Sequence, residues 1–341
     1  MKQDTALNIL KTGRNVYLTG AAGSGKTHVL NQYIQYLRKN NASIGITAST
    51  GIAATHLSGM TIHAWSGIGI NDYLSEWEID SLTQRQPLAK RYERTSVLLI
   101  DEVSMLRPEI LDVVDQVARA MKRNNEPFGG MQVVLSGDFF QLPPIVRDGS
   151  EEAFIDSSRA WHEGDFRVCY LTEQYRQEGG KLLDILNDIR DGEISTLSQE
   201  SLESRMSNDV SPDENAVVLH THNRNVDERN VQELSKLDGE SSEYEMTSTG
   251  RANLIETLKK SVLAPELLEL KIGARVMFVK NSPEQDYVNG TLGEITDLDG
   301  EYPIVQTNSG KEIVARPVSW ETTDDAKVLA SVTQVPLRLA W

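Results

Sequence analysis

One glycine-rich stretch, Gly20-Ala21-Ala22-Gly23-Ser24-Gly25-Lys26-Thr27, constrains the fold of this 341-residue chain more than any other feature. It fits the spacing G-x-x-x-x-G-K-[ST], where a strand must enter the loop and a helix must leave it. Both neighbours are present. Residues 15–19 (NVYLT) read as a buried strand, and residues 28–40 carry Val29, Leu30, Tyr33, Ile34 and Leu37 at helical spacing. Glycines let backbone N–H groups turn onto phosphate oxygens, and the helix N-terminus behind them favours negative charge. In that arrangement Gly20, Gly23, Ser24 and Gly25 cradle the phosphates of a nucleoside triphosphate. Lys26 reaches the β- and γ-phosphates, and Thr27 places its hydroxyl on Mg2+.

A phosphate loop of this kind needs an acidic partner. Residues 97–100 (VLLI) form an apolar run suited to a central parallel strand, and Asp101-Glu102 follows directly. A carboxylate at the C-terminal end of such a strand holds Mg2+ opposite the loop, the role expected of Asp101. Glu102 is placed to polarise the attacking water.

Further strands are expected at residues 44–48, 132–135 and 168–171, alternating with helical patterns, which implies a doubly wound parallel sheet. A polar stretch at about 67–94 reads as an insertion beyond that sheet. Residues 181–190 have helical periodicity and stop at Asp191-Gly192. Residues 195–215 read as a boundary or mobile loop. A second strand–helix unit is expected at 217–222 and 226–237, and from residue 272 the pattern turns β-rich, with Asn289-Gly290 as a turn. Glycines 293, 300 and 310 punctuate that region and suggest a small barrel-like module at about 272–320.

The formal net charge of −16 argues against wholesale wrapping of nucleic acid, although a local basic channel remains compatible with it. A single cysteine, Cys169, rules out an internal disulfide and makes a reducing cytosol the default compartment. No apolar run approaches membrane-spanning length, so no membrane partner is expected.

Further motifs follow in order: Thr47-Ala48-Ser49-Thr50-Gly51-Ile52-Ala53-Ala54, Gly59-Met60-Thr61-Ile62-His63-Ala64-Trp65, Gly137-Asp138-Phe139-Phe140-Gln141-Leu142-Pro143-Pro144, Leu171-Thr172-Glu173-Gln174-Tyr175-Arg176-Gln177 and Leu186-Asn187-Asp188-Ile189-Arg190-Asp191-Gly192. With the phosphate loop and Asp101-Glu102, this series resembles the superfamily 1 DNA helicases of the 5′-to-3′ branch, in their petite-integration-frequency (Pif) and RecD-like group. The resemblance implies an α/β P-loop NTPase with two RecA-like domains. Residues 1–192 would form the ATP-binding domain, and 193–341 an incomplete second domain carrying the barrel-like module.

Roles follow residue by residue from that resemblance. Gln3 would read the adenine edge, Gln141 would sense the γ-phosphate, and Arg176 would contact it as an arginine finger. Ser49, Thr50, Gly51, Thr61 and His63 would lie on single-stranded DNA, whereas Trp65 reads as core. Phe139 and Phe140 would pack Gln141 in place. Residues 220–223 would form a second strand-facing loop, and Tyr73–Trp77 occupy the place of the relatives' duplex-splitting wedge. The implied activity is ATP-dependent 5′-to-3′ translocation on single-stranded DNA, with forked or structured duplex as substrate, in repair, recombination or telomere maintenance. A monomer is compatible with this reading. Cytoplasmic or nucleoid placement is expected, with nuclear or mitochondrial placement open.

In these helicases the run Gln334–Trp341 is followed by a Ser-Gln-Gly motif and a late second arginine, neither of which this sequence contains. The expectation is therefore either a truncated chain or fragment that depends on a missing C-terminal segment, or a chain whose partner supplies the rest. A missing finger costs about 10³–10⁵ in phosphoryl transfer. Two alternatives stay open at this point: a P-loop small-molecule kinase, and a nucleotide-gated DNA-binding protein without unwinding activity.

Overall fold

The structure is a computed structural model that describes residues 1–57, 59–69, 71–144, 153–173, 180–206, 219–220, 223–282, 284, 286–298, 300–324 and 327–341. The chain divides into two compact units, Met1–Met206 and Ser207–Trp341.

The first unit is built on strands β1 (Val16–Gly20), β2 (Ile44–Ala48), β3 (Met60–Thr61), β4 (Val97–Asp101), β5 (Gln132–Ser136) and β6 (Arg167–Leu171). Their spatial order is β3-β2-β4-β5-β1-β6 and every pairing is parallel. All five expected strands are present to within a residue or so, and β1 and β4 are buried along their whole length, as continuous apolar runs suit. Strand β4 shows this directly. Val97 and Leu99 enter a layer with α1 (Gln3–Leu10) and α2 (Lys26–Lys39), whereas Leu98 and Ile100 enter the opposite layer with α7 (Pro108–Lys122). The phosphate-loop helix α2 buries Val29, Leu30, Tyr33, Ile34 and Leu37, the face expected from the sequence.

Short helices α3 (Gly51–His56) and α4 (Ile62–Ser66) follow β2 and β3. The stretch at 67–94 adds no strand to the sheet, in keeping with an insertion beyond it. It forms α5 (Glu76–Thr83) and α6 (Gln86–Arg94), and Leu74, Leu82, Leu88 and Tyr92 are buried in the layer that contains α7. Its polar composition belongs to the solvent face, so the segment completes the core. Ser75 and Glu78 close a capping box at the start of α5.

After β5 come α8 (Arg159–Glu163), β6, α9 (Lys181–Asp191) and α10 (Thr196–Glu203). Gly192 ends α9 in the left-handed conformation, as its position predicts. The expected loop at 195–215 is helical in its first half. Ser195 caps α10 and donates its hydroxyl to Asp188 of α9 at 2.6 Å, so α9 and α10 form one hairpin. The expected boundary at 192/193 falls inside that hairpin, and both helices belong to the first unit. Residues 207–218 lie outside the described residues.

In the second unit, the helix of the expected strand–helix pair is α11 (Asn223–Lys236); of its strand, only 219–220 are described. Strands β7 (Ser242–Glu245) and β8 (Thr247–Gly250), helix α12 (Ala252–Ser261) and strand β9 (Leu267–Leu270) come next. The β-rich module contains β10 (Arg275–Phe278), β11 (Leu292–Asp297), β12 (Ile304–Thr307), β13 (Glu312–Val314), β14 (Val318–Asp324), β15 (Lys327–Gln334) and β16 (Leu337–Leu339). A five-stranded antiparallel sheet runs β13-β12-β11-β10-β16, and β14, β15 and β8 form a second sheet. Val276, Phe278, Ile295, Val305 and Leu337 fill its core. The buried Gln334 donates to the carbonyls of Tyr244 and Pro265, tying the C-terminal run into the unit.

Candidate nucleotide and DNA site

Parallel strands place their C-terminal ends on one edge, and the phosphate loop and acidic pair emerge there on either side of β5. Gly20 at the end of β1, Ala48 of β2, Asp101 of β4 and Ser136 of β5 share that edge through the register Ala48↔Asp101 and Leu18↔Ser136. This is the position at which open α/β sheets bind ligands.

The loop has the conformation that only glycine adopts freely. Gly20, Gly23 and Gly25 have φ of +149°, +84° and +87°. A Cβ at Gly20 would also lie 2.7 Å from the Leu171 carbonyl oxygen and 2.8 Å from the Ser24 hydroxyl. The Ser24 hydroxyl is buried and has no hydrogen-bond partner among the described residues. Lys26, the first residue of α2, donates its ammonium to the carbonyls of Gly20 at 2.8 Å and Ala21 at 3.3 Å. Among the described residues it forms no ion pair, although burial pulls its pKa below the usual lysine value. The nearby charges of Asp138, Glu102 and Asp101 oppose that shift. A half-buried cation held only by carbonyls, in a cradle of left-handed glycines, fits a polyphosphate.

Asp101 is buried, and one of its carboxylate oxygens accepts the Glu102 N–H at 3.0 Å. Glu102 itself has φ +52°, an uncommon conformation for a residue with a Cβ. Gln141 is exposed and lines a shallow depression together with Glu102 and Phe140. Gln3 is anchored rather than frayed: its side-chain amide donates to the Ser24 carbonyl at 3.1 Å, against the loop itself. Thus Gln3, Lys26, Asp101 and Glu102 come together at one end of the sheet, with Gln141 beside Glu102. Arg176 lies outside the described residues.

Two participants were not singled out from the sequence. Asp138, only 2% exposed, follows β5 much as Asp101 ends β4, and that parallel was the available signal. It takes a bidentate ion pair from Arg190 of α9 at 2.8 and 2.9 Å. Burial alone would push its carboxyl up. The Arg190 hydrogen bonds, the Phe140 N–H and the charges of Arg190 and Lys26 outweigh this and hold it below the usual carboxylate range. Nothing local to Arg190 announces this partner 52 residues away.

The expected DNA-contacting residues surround the same edge. The Ser49 hydroxyl donates to the Glu102 carbonyl at 2.7 Å, and its N–H to the Asp101 carbonyl at 3.0 Å. Thr50 accepts the Ala53 N–H at the start of α3, where Gly51 is exposed, and Thr61 caps α4 through the Ala64 N–H. His63 is half-buried; burial lowers its imidazole pKa, so the neutral ring dominates at pH 7. Trp65 is core, tilted against Tyr92 at 4.8 Å. Phe139 also packs, stacking on Tyr17 and Phe154. Phe140 departs from expectation: it is 69% exposed, and the Arg190 guanidinium sits 4.4 Å over its ring. Of the second strand-facing loop, residues 221 and 222 lie outside the described residues, and His220 is exposed.

Sheet order, phosphate loop and strand-end carboxylates together define a P-loop NTPase. The PIF1-like helicase family model matches residues 3–200, more than half of the chain, and the model of the DNA helicase Pif1 2B domain matches residues 253–298. The chain belongs to the PIF1-like helicase family. It is 43% identical to the ATP-dependent DNA helicase Pif1 of Psychrobacter sp. (strain PRwf-1) over 403 residues, covering 100% of this chain and 61% of that relative. It therefore spans about three fifths of that relative's length. Its fold matches the Pif1 helicase from Candida albicans with a TM-score of 0.81 and 34% identity, covering 99% of this chain and 84% of the other. It also matches Pif1 from Bacteroides in complex with ADP-AlF3 and single-stranded DNA, with a TM-score of 0.65 and 28% identity, covering 99% and 81%. Among the described residues no helix is long and apolar enough to cross a membrane.

Proposed function

We propose that this chain binds Mg2+–ATP at the β1–β4–β5 edge and belongs to an ATP-dependent 5′-to-3′ DNA helicase that moves on single-stranded DNA. The observation that carries the reading is Lys26, a half-buried ammonium whose partners among the described residues are carbonyls, facing Asp138, Glu102 and Asp101 at the ends of adjacent parallel strands. The Bacteroides relative in complex with ADP-AlF3 and single-stranded DNA supports both ligands at this fold.

In this reading the loop N–H groups and Lys26 hold the phosphates, and Gln3 meets the adenine edge from beside Ser24. Thr27 and Asp101 would hold Mg2+, which would supply positive charge against the charge developing on the phosphates. Two protein ligands suffice, since Mg2+ keeps several waters and takes phosphate oxygens. Glu102 orients and polarises water, Gln141 reports the γ-phosphate, and Arg176 supplies charge to it. The Ser49 hydroxyl and N–H are fastened to the carbonyls of Glu102 and Asp101. That link lets a change at the acidic pair reach the strand-contacting loop of Ser49, Thr50 and Gly51, with Thr61 and His63 beyond it. The neutral imidazole suits stacking on a base more than pairing with a phosphate.

The test is phosphate release from Mg2+–ATP with and without oligo-dT, followed by strand displacement on duplexes with a 5′ or a 3′ tail. DNA-stimulated turnover and displacement from the 5′-tailed duplex are expected. Turnover indifferent to DNA would favour a small-molecule phosphotransferase, and binding without turnover a nucleotide-gated DNA binder.

A further inference from the structure

The turn that carries Gln141 is built around one carboxylate. Asp138 accepts the Phe140 N–H on its side chain at 3.2 Å and the Gln141 N–H on its carbonyl at 2.9 Å. Gln141 is exposed, so its placement comes from the backbone of this turn rather than from packing of its side chain. Upstream, the turn is pinned against the segment after Glu102, since a Cβ at Gly137 would lie 2.9 Å from Val103 Cγ2.

Arg190 closes the arrangement from α9. Its fork binds both oxygens of Asp138, and its guanidinium plane covers Phe140, the residue next to Gln141. On another side it lies 5.9 Å from the Tyr170 ring. The pair is not there to seat α9 in a core, because α9 has no buried side chain. A planar fork matched to a carboxylate fixes direction as well as distance, which a lysine cannot do.

We propose that Arg190 is a positioning residue of the nucleotide site, holding the Asp138 turn so that Gln141 stands where a γ-phosphate arrives. The proposal rests on the nucleotide-site reading above. Arg190 touches no nucleotide in this account; it acts through Asp138. Its loss therefore spares diphosphate binding and removes the discrimination between a triphosphate and a diphosphate. A hydrogen bond to a charged group contributes enough that this discrimination falls by roughly tenfold or more.

The experiment is fluorescence titration of the full chain with mant-ADP and mant-AMPPNP in Mg2+, comparing wild type, Arg190→Gln and Arg190→Lys. Wild type is expected to prefer the triphosphate analogue. Arg190→Gln is expected to keep its mant-ADP affinity while its preference falls towards one. Arg190→Lys, with the charge but without the fork, is expected to fall between the two. Retained mant-ADP binding shows that the variant is folded at the site. Loss of both affinities in Arg190→Gln and Arg190→Lys would make the pair merely structural and overturn the proposal. An unchanged preference in Arg190→Gln, or no preference in wild type, would also overturn it while leaving the nucleotide site standing. A wild-type chain that binds neither probe removes the nucleotide-site reading and this inference with it.

Discussion

Lys26→Met separates a functional lysine from a structural one, because the two roles predict opposite results. The ammonium is drawn out of water and held by two backbone carbonyls, at 2.8 and 3.3 Å, with its pKa lowered by burial. Against a bound phosphate it makes a charge-assisted hydrogen bond of about 1.5–3 kcal/mol, so its removal weakens nucleotide binding by roughly 10- to 100-fold. In the nucleotide-free chain the same ammonium is a cost. Its folded pKa lies below the unfolded value, so the unfolded chain binds more protons between the two, and stability rises with pH across that window. Below the folded pKa the full cost is present. Methionine keeps most of the apolar stem without the charge, so the melting temperature of the nucleotide-free variant should match or exceed that of wild type. Any advantage should shrink as pH approaches the ordinary lysine pKa of about 10.4. Differential scanning fluorimetry from pH 7 to 10, with mant-nucleotide titration alongside, reads both effects. A variant that melts well below wild type, or that binds nucleotide undiminished, would refute the reasoning.

Gly45→Ala should destabilise the first unit by roughly 1–3 kcal/mol, because its Cβ would lie 2.7 Å from the buried Trp65 indole; thermal melts and tryptophan emission check it. Gln3→Ala should reduce the preference for ATP over GTP by about 0.5–1.5 kcal/mol in competition binding, while leaving phosphate-loop affinity for tripolyphosphate intact. The carboxyl of Asp138 sits below its usual pKa, so its contribution is present above about pH 4 and lost as pH falls through its folded value. Asp138→Asn should therefore flatten the acid limb of the pH–stability curve and cost about 3–5 kcal/mol at neutral pH, measured by denaturant titration.

What the sequence disclosed follows from how local each signal is. The apolar run Val97–Asp101 and the loop from Gly20 to Thr27 declare strand, turn and helix within a few residues, and the structure places them as read. Trp65 was legible as core for the same reason. The helices at 67–94 were harder to read, because charge is dense there while the buried positions, Ile68, Leu74, Leu82, Leu88 and Tyr92, are widely spaced. Helix α10 was hidden by serines, which are as much at home in a loop as at the Ser195 cap. The Asp138–Arg190 pair was invisible because neither residue type is rare and only the fold brings them together. Phe140 looked like packing for Gln141, yet its ring faces outward under Arg190.

Every role proposed here converges on one triphosphate site at the β1–β4–β5 edge, and isothermal titration of ATP into the chain reads that site most directly. One ATP per chain is predicted to bind in the presence of Mg2+, with binding sharply weakened by EDTA and by Asp101→Asn. Heat of binding that is absent, or that is indifferent to both Mg2+ and Asp101, would contradict it.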